Sequence, residues 1–127
     1  MSHFSTIQVA VTDQTILKTV LQEAGYDFVE HGLVRGYQGN TTTAALVIQL
    51  SHGYDIGLRL RQDGTGYEVV ADWWGVGITA EEFSQDLNQR YAHKALLHQA
   101  AQQGFTIETE EILADGTVRV VLGRWQG

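Results

Sequence analysis

The alternation of apolar and polar residues predicts several short strands and two helices. Residues 4–11 alternate as a half-buried strand does. Beyond them, apolar residues recur every three or four positions, as on the buried side of an amphipathic helix. Thr12 or Asp13 should cap this helix at its start, and Gly25 should end it. The apolar stripe consists of Ile16, Leu17, Val20, Leu21 and Ala24.

The next part of the chain predicts a run of strands joined by turns. Residues 26–30 and 33–37 are expected strands, and a turn at residues 31–32 should separate them. Residues 39–40, a Gly-Asn pair, predict another turn. Residues 44–50 are almost continuously apolar, which is typical of a central strand buried on both faces.

Two hairpins are indicated farther along. Residues 54–61 and 67–73 alternate on either side of the glycine-containing turn 62–66. Residues 105–112 and 117–122 form the second pair, joined by an Asp-Gly turn. If Leu60 pairs with Tyr67 in the first hairpin, the register of every other pair in it follows.

Between the hairpins the chain predicts one long helix, over residues 80–103. Thr79 is a favourable N-cap, and Glu82 three residues later completes a capping box. Gly104 is a suitable C′ residue, so the helix should end there. At 1.5 Å per residue its length is about 36 Å.

This order of elements predicts one α+β domain over residues 1–127. A run of strands with few helices favours a single antiparallel sheet of about seven or eight strands, with two helices packed on one face. A strongly curled or barrel-like sheet is the alternative. The opposite face of the sheet should carry Arg59, Arg61, Glu68, Asp72 and one of the tryptophans.

The amino-acid composition argues against several kinds of site and partner. The chain has no cysteine, which excludes disulfides, thiolate metal sites and cysteine nucleophiles. A net charge of −7 disfavours generic binding to nucleic acid or to anionic lipid. No apolar run is long enough to span a bilayer, and the N-terminal residues do not resemble a signal peptide, so we expect a soluble protein without membrane insertion.

Trp73 and Trp74 are the first candidates for a functional role. Successive residues of a strand point to opposite faces, so only one of these two rings can enter the main core. Trp73 shares its parity with core-facing residues, which assigns Trp74 to the open face. Trp74 either fills a secondary core under a loop or serves as an aromatic anchor for a partner.

Charged residues of the first hairpin are the second candidates. The inferred register places Arg59 opposite Glu68, a favourable pair, and Asp55 opposite Asp72. Two adjacent carboxylates can raise the pKa of one of them and so provide an acid–base group. Alternatively, Arg61, Arg119 or solvent neutralises the pair.

Other chemistry finds little support in the sequence. His93 and His98 are five residues apart on the long helix, which is not the spacing of a metal-binding pair, so no metal is expected. The glycine-rich stretches at 35–39 and 75–77 match neither phosphate-binding motif. We therefore expect no cofactor and no catalytic residues.

Several blocks of sequence resemble one family. They are SHFSTI near the N-terminus, VRGYQG at 34–39, YDIG at 54–57, YEVVADWWGV at 67–76, QRYA at 89–92 and the terminal RW. The family is an uncharacterised one of cyanobacteria and red-algal plastids, known as a hypothetical chloroplast reading frame and a domain of unknown function. The resemblance implies a cyanobacterial cytoplasm or a plastid stroma, and an association with photosynthetic function. It carries no catalytic residues.

Two functional hypotheses follow. The first is a non-catalytic binding or assembly module that presents the open sheet face, with Trp74, Arg59 and Arg61, to a protein partner or to a second copy. The second is a small-molecule site or modest acid–base enzyme. In it Asp72 would be the polar group and Arg59 or Arg61 the anion partner, and Trp74 and Tyr91 would form aromatic walls. A flat face favours the first and a deep apolar cavity the second. A purely structural role for these residues is the third alternative.

Overall fold

The structure is a computed structural model that describes residues 3–124. Ser2 of the first resemblance block and Trp125 of the terminal RW lie outside the described residues. The helices and strands, in chain order, are β1 (Ser5–Gln8), α1 (Gln14–Glu23), β2 (Phe28–Arg35), β3 (Thr41–Gln49), β4 (Asp55–Leu60), β5 (Tyr67–Ala71), α2 (Ala80–Gln102), β6 (Phe105–Ile112) and β7 (Val118–Arg124).

The strands form two antiparallel units. The larger is a five-stranded sheet with the order β1-β5-β4-β3-β2, and the smaller is the hairpin β6-β7. The predicted α+β class, with two helices and an antiparallel sheet, is confirmed. The sheet has fewer strands than predicted because β6 and β7 follow α2 and pack against that helix, so they do not extend the sheet.

Both helices begin where the sequence predicts. The Asp13 side chain accepts the Ile16 N–H at 3.0 Å and caps α1. Thr79 and Glu82 form the predicted capping box of α2, with both reciprocal hydrogen bonds at 3.1 Å. Gly104 follows the end of α2 with a φ of 81°, a conformation that glycine adopts without strain.

The main core lies between the helices and one face of the sheet. Leu17, Val20 and Leu21 of α1 and Phe83, Leu87 and Tyr91 of α2 belong to it. The sheet contributes alternate residues of its three central strands, as period-two patterning requires. These are Leu46, Ile48, Ile56, Leu58, Tyr67, Val69 and Ala71.

The structure of β2 shows that the predicted turn at residues 31–32 is wrong. The expected turn at residues 31–32 is absent from the described chain, and a single strand runs through both positions. His31 has a φ of 52°, yet pairing with β3 keeps one register from Phe28–Ile48 to Arg35–Thr41. The bend in the backbone is therefore absorbed within a continuous strand.

The end of β2 curls across the face opposite the helices. β2 contacts β4 and β5 there, although β3 separates it from them in the sheet. Val34, Ala44, Val47 and Val70 form a small buried cluster at this crossing. The sheet is thus more strongly curled here than the favoured sandwich, and part of the face that was expected to be open is covered.

Gly57 of β4 is the position that permits this crossing. A Cβ atom at residue 57 would lie 2.5 Å from Val34 Cγ2 and 2.9 Å from both Ala44 Cβ and Val70 Cγ1. Ordinary van der Waals contact begins about 1 Å farther out. The absence of a side chain at residue 57 therefore sets how closely β2 lies over β4.

Gly57→Ala should lower the free energy of unfolding by about 2 kcal/mol, because the added methyl overpacks the crossing. Gly32→Ala is the matched control, since its Cβ would approach no atom closer than 3.3 Å. Urea unfolding of both variants measures the difference. In a Val34→Ala background the cost of Gly57→Ala should shrink. Equal costs in both backgrounds would mean that the Val34 contact does not limit the crossing.

Candidate functional site

Three aromatic side chains meet at the end of the sheet where β2 and β5 end and β4 begins, and they form what we call the aromatic patch: Tyr37, Tyr54 and Trp74. The Trp74 ring lies edge-on to Tyr37, with centroids 5.8 Å apart, and tilted to Tyr54 at 6.3 Å. Trp74 is 73% exposed, whereas both tyrosines are half-buried. The patch is thus an exposed indole held against two supporting rings.

Each ring of the patch comes from a turn or a strand end. Tyr37 opens the 3-10 turn between β2 and β3, and Tyr54 immediately precedes β4. Trp74 lies in the 3-10 turn Trp73–Gly75 that follows β5. This turn sends the two tryptophans apart: Trp73 packs on the main core, 6.1 Å from the Phe83 ring, while Trp74 faces outward.

Two glycines let the elements of the patch approach one another. A Cβ atom at Gly75 would lie 2.3 Å from the Tyr54 ring. A Cβ atom at Gly36 would lie 2.8 Å from Phe4 and 3.2 Å from the Asp72 Cβ atom. The glycine-rich stretches of the sequence therefore permit close packing.

Asp72 lies beneath the patch. The residue is 2% exposed, and its Oδ2 atom accepts the Tyr37 N–H at 3.2 Å. Its Oδ1 atom is buried and has no hydrogen-bond partner among residues 3–124. Burial, then the negative charge of Asp72 and then Tyr37 raise the pKa of Tyr54 above its ordinary value. The carboxylate thus acts electrostatically on the ring beside it.

Asp55, at the same end of the sheet, has a different environment. It is 1% exposed, and its two carboxylate oxygens accept bonds from Arg35 Nε and Nη2, both at 2.8 Å. The Arg35 backbone N–H donates a third bond, at 2.9 Å. Burial favours the neutral acid, but the hydrogen bonds and charge of Arg35 outweigh it and lower the pKa of Asp55 below its ordinary 3.8.

The predicted hairpin register is confirmed, with Leu60 paired to Tyr67 and Arg59 to Glu68. Arg59 Nε lies 3.4 Å from Glu68 Oε1. The same register continued by one pair would place Asp55 opposite Asp72. The alternative in which the pKa of Asp55 rises is wrong, because Arg35 neutralises this carboxylate and lowers its pKa. Neutralisation was the other alternative, but the groups named for it were Arg61, Arg119 and solvent, and Arg35 was not among them.

The remaining predicted site residues lie away from the patch. Arg59 is about 13 Å along β4 from Asp55, at roughly 3.3 Å per residue. It lines an open groove of about 480 Å³ with His31, Leu33 and Ala45. Arg61, farther along, donates to the Thr65 hydroxyl at 2.7 Å within its own turn.

Tyr91 lies on the other side of the sheet. It belongs to the main core, and its hydroxyl accepts the Asp13 N–H at 2.9 Å at the start of α1. Tyr91 and Trp74 therefore do not face a common pocket. Of the five predicted binding residues, the structure brings together Trp74 and Asp72.

Sequence reasoning missed Arg35, Tyr37 and Tyr54 as members of this region. No local sequence motif marks these residues, because the patch is assembled from two turns and the start of a strand that are far apart in sequence. Gly36 and Gly75, where a Cβ atom would collide with a neighbouring side chain, mark the contacts.

The described part of the chain holds no group of three His, Asp or Glu residues placed to bind a metal ion. Neither α1 nor α2, the two α-helices of residues 3–124, combines the length and apolar character needed to cross a bilayer.

The chain belongs to the family described as a protein of unknown function (DUF1257), whose model matches residues 20–121. It is 35% identical to the uncharacterised protein ycf35 of Guillardia theta over 129 residues, covering 99% of both chains. The corresponding protein of Cyanophora paradoxa is 28% identical, again over 99% of each chain, and that of Pyropia yezoensis 26% over 98%. These relatives are encoded in algal plastid genomes. No solved structure matches the chain.

The resemblance inferred from the sequence blocks is thereby confirmed, as an uncharacterised family of plastids and cyanobacteria. The relatives span this chain almost end to end, so the comparison covers the patch, the Arg35–Asp55 pair and the hairpin β6-β7 together.

The Arg35–Asp55 pair should make the free energy of unfolding depend on pH in the acidic range. Because the pKa of Asp55 is lower in the folded chain, its charge stabilises the fold above pH 3.8 and this contribution disappears as the pH falls through the folded value. Asp55→Asn should therefore cost most near neutral pH, about 2 kcal/mol, and progressively less below pH 3.8. Urea unfolding from about pH 7 to about pH 3 measures this difference.

Asp27→Asn, at an exposed aspartate, serves as the control. An Asp55→Asn cost that stays constant across the whole pH range would show that the charge of Asp55 does not stabilise the fold.

Proposed function

We propose that this protein is a non-catalytic binding or assembly module, and that the aromatic patch is its contact surface for a protein partner. The observation that carries the proposal is the position of Trp74. This indole is 73% exposed, yet two half-buried tyrosines hold it on the surface. A large apolar ring left outside the core in a fixed place is suited to a contact with another molecule.

The energetics of recognition support this role. Tryptophan and tyrosine dominate binding hot spots because they bury a large area with few rotatable bonds. Here the Tyr37 and Tyr54 rings restrict Trp74 before any partner arrives, so less conformational entropy is lost on binding. Covering one indole removes roughly 150–250 Å² of surface from water, enough to anchor an interface.

Catalysis receives less support from the same region. A general acid or base needs a pKa near the working pH, whereas Arg35 lowers that of Asp55 below 3.8. The cation beside the 480 Å³ groove, Arg59, is already within 3.4 Å of Glu68. Neither feature presents a free reactive group, so a binding role is favoured over the small-molecule or enzymatic alternative.

The relatives supply the cellular context of the proposal. They are plastid-encoded, and this supports our proposal that the protein acts in a plastid stroma or a cyanobacterial cytoplasm. A more specific form of the proposal is that the partner belongs to photosynthetic electron transfer or to pigment–protein assembly. The identity of the captured protein tests this form.

Trp74→Ala should weaken partner binding while changing the free energy of unfolding by less than about 1 kcal/mol, because the ring is mostly exposed. Wild type and variant are immobilised in parallel and exposed to a cyanobacterial lysate. Each retained protein is then purified, and its Kd for both forms is measured by calorimetry. The expected loss of affinity is about 30-fold or more, since one hot-spot residue is worth at least about 2 kcal/mol.

Leu33→Ala is the matched control on the same face. Leu33 is 57% exposed and lines the groove away from the patch, so its truncation should leave the Kd unchanged. Loss of binding with Leu33→Ala and not with Trp74→Ala would move the contact surface to the groove and overturn the proposal. Sedimentation equilibrium of the same variants tests whether the partner is a second copy.

A further inference from the structure

The hairpin β6-β7 has two outer edges that are unpaired among residues 3–124. An unpaired edge offers a row of backbone N–H and C=O groups to any strand that can align with it. Proteins normally protect such edges with charges, bulges, bends or a very short strand. An edge without these protections is suited to pairing with another chain. The four free edges of the described chain, those of β1, β2, β6 and β7, differ in this respect.

Three of these four edges are protected. β1 has only four residues, and β2 bends at His31 and curls over the sheet. β6 carries three glutamates, and its register with β7 shifts so that Glu108 has no residue opposite it. β7 contains no proline, and its centre is the apolar run of residues 120–122. Among the edges of the described chain, that of β7 is therefore the one open to another strand.

Hydrogen bonding within the hairpin shows which backbone groups lie on the open edge. The Leu113 N–H donates to the Thr117 carbonyl at 2.7 Å, so the backbone groups of Thr117 point toward β6. Along an antiparallel strand this direction alternates from one residue to the next. The N–H and C=O groups of Val118, Val120 and Leu122 therefore point to the free edge of β7.

From this geometry we infer that β7 pairs antiparallel with β7 of a second copy of this chain, and that the two hairpins form one four-stranded sheet. Full overlap of residues 118–124 places the two-fold axis at Val121. Val120 then lies opposite the second copy's Leu122, so that residues with outward-pointing backbone groups meet one another. This contact uses no residue of the aromatic patch and goes beyond the proposed function.

The helix α2 distinguishes the two faces of β7. Glu110 is paired with Val120, and Glu110 Oε1 lies 2.7 Å from His93 Nε2 of α2. Val120 therefore faces the helix. By alternation along the strand, Arg119 and Gly123 lie on the face that points away from α2.

Charge complementarity selects a second copy as the occupant of this edge. The Glu108 carboxylate lies over Gly123, because a Cβ atom at residue 123 would collide with it. Glu108 makes no ion pair among residues 3–124. In the inferred register the second copy's Arg119 lies opposite Gly123, within reach of this carboxylate, and the two-fold axis repeats the contact. No two arginines are placed opposite each other.

The arrangement also closes at a dimer. Pairing of β7 with β7 is isologous, so each copy uses its one open edge. The outermost strands are then the two copies of β6, which their glutamates and register shift protect. Pairing of β7 with β6 of the next copy would instead leave an open edge at each end and give a filament.

The test is sedimentation equilibrium of the full-length protein at concentrations up to about 1 mM. We expect the mass of the wild type to rise from 14.1 kDa toward twice that value. Val120→Pro removes an N–H group from the free edge of β7 and none that bonds β6, so it should leave the protein monomeric. Ile112→Pro is the matched control. Ile112 is paired with Val118, so its N–H points to the outer edge of β6, and this variant should dimerise as the wild type does.

Glu108→Arg tests the charge contact and keeps the inference testable if Val120→Pro does not fold. It places an arginine beside the second copy's Arg119 and should raise the Kd of the dimer about tenfold, because the two-fold axis changes the contact twice. Asp27→Arg makes the same change of charge at an exposed residue elsewhere, and it should dimerise as the wild type does.

Amide hydrogen exchange locates the pairing within the hairpin. At concentrations where the dimer forms, exchange at Val120 and Leu122 should be slower than in dilute protein, because their N–H groups become hydrogen-bonded. Exchange at Glu110 and Ile112, whose N–H groups point to the outer edge of β6, should not depend on concentration.

A wild-type mass that stays at 14.1 kDa up to about 1 mM would overturn the inference, as would a mass that keeps rising beyond the dimer. Equal dimerisation by wild type, Val120→Pro and Glu108→Arg would also contradict it. A dimer that is lost with Trp74→Ala and kept with Val120→Pro would assign self-association to the aromatic patch instead. Failure of the proposed function is read separately, from capture of a different protein by wild type and Trp74→Ala.

Discussion

The close packing of Val34 over Gly57 sets the position of the end of β2 on the sheet face opposite the helices. Val34 can lie there because residue 57 has no side chain. The three residues that follow are then placed in turn. Arg35 reaches Asp55, Gly36 lies against Asp72, and Tyr37 donates its N–H to Asp72 and supports Trp74. One close contact between strands thus determines both an ion pair and an aromatic surface.

Asp55 and Asp72 are buried carboxylates at the same end of the sheet, but they differ in their hydrogen-bond partners. Both are almost fully buried, at 1% and 2% exposure. Asp55 accepts two hydrogen bonds from the Arg35 side chain and one from the Arg35 backbone N–H, and these bonds hold the end of β2 against β4. Asp72 accepts one hydrogen bond, from the Tyr37 N–H, and its other oxygen is buried without a partner among the described residues. The first carboxylate thus holds the Arg35 side chain and backbone, and the second holds the backbone at the start of the turn that carries Tyr37.

Local patterns in the sequence predicted the local structure well. Thr79 with Glu82 and the Leu60–Tyr67 pairing follow from short-range rules of capping and alternation, and both are present. The association of Arg35 with Asp55 could not be found in this way. It depends on how far β2 curls, which no pattern within β2 specifies. The single strand through His31 was missed for a related reason, since pairing with β3 overrides the local turn preference.

The position of the hairpin β6-β7 has a consequence for how the molecule can vary. It forms its own two-stranded sheet and rests mainly on α2, with seven of the eight residues of β6 exposed. A unit with so little shared core opens locally at a lower free energy than the central sheet does. We therefore expect substitutions and insertions in this hairpin to leave the crossing of β2 over Gly57 undisturbed. The chain thus combines a densely packed central sheet with a peripheral hairpin whose residues have few neighbours in the core.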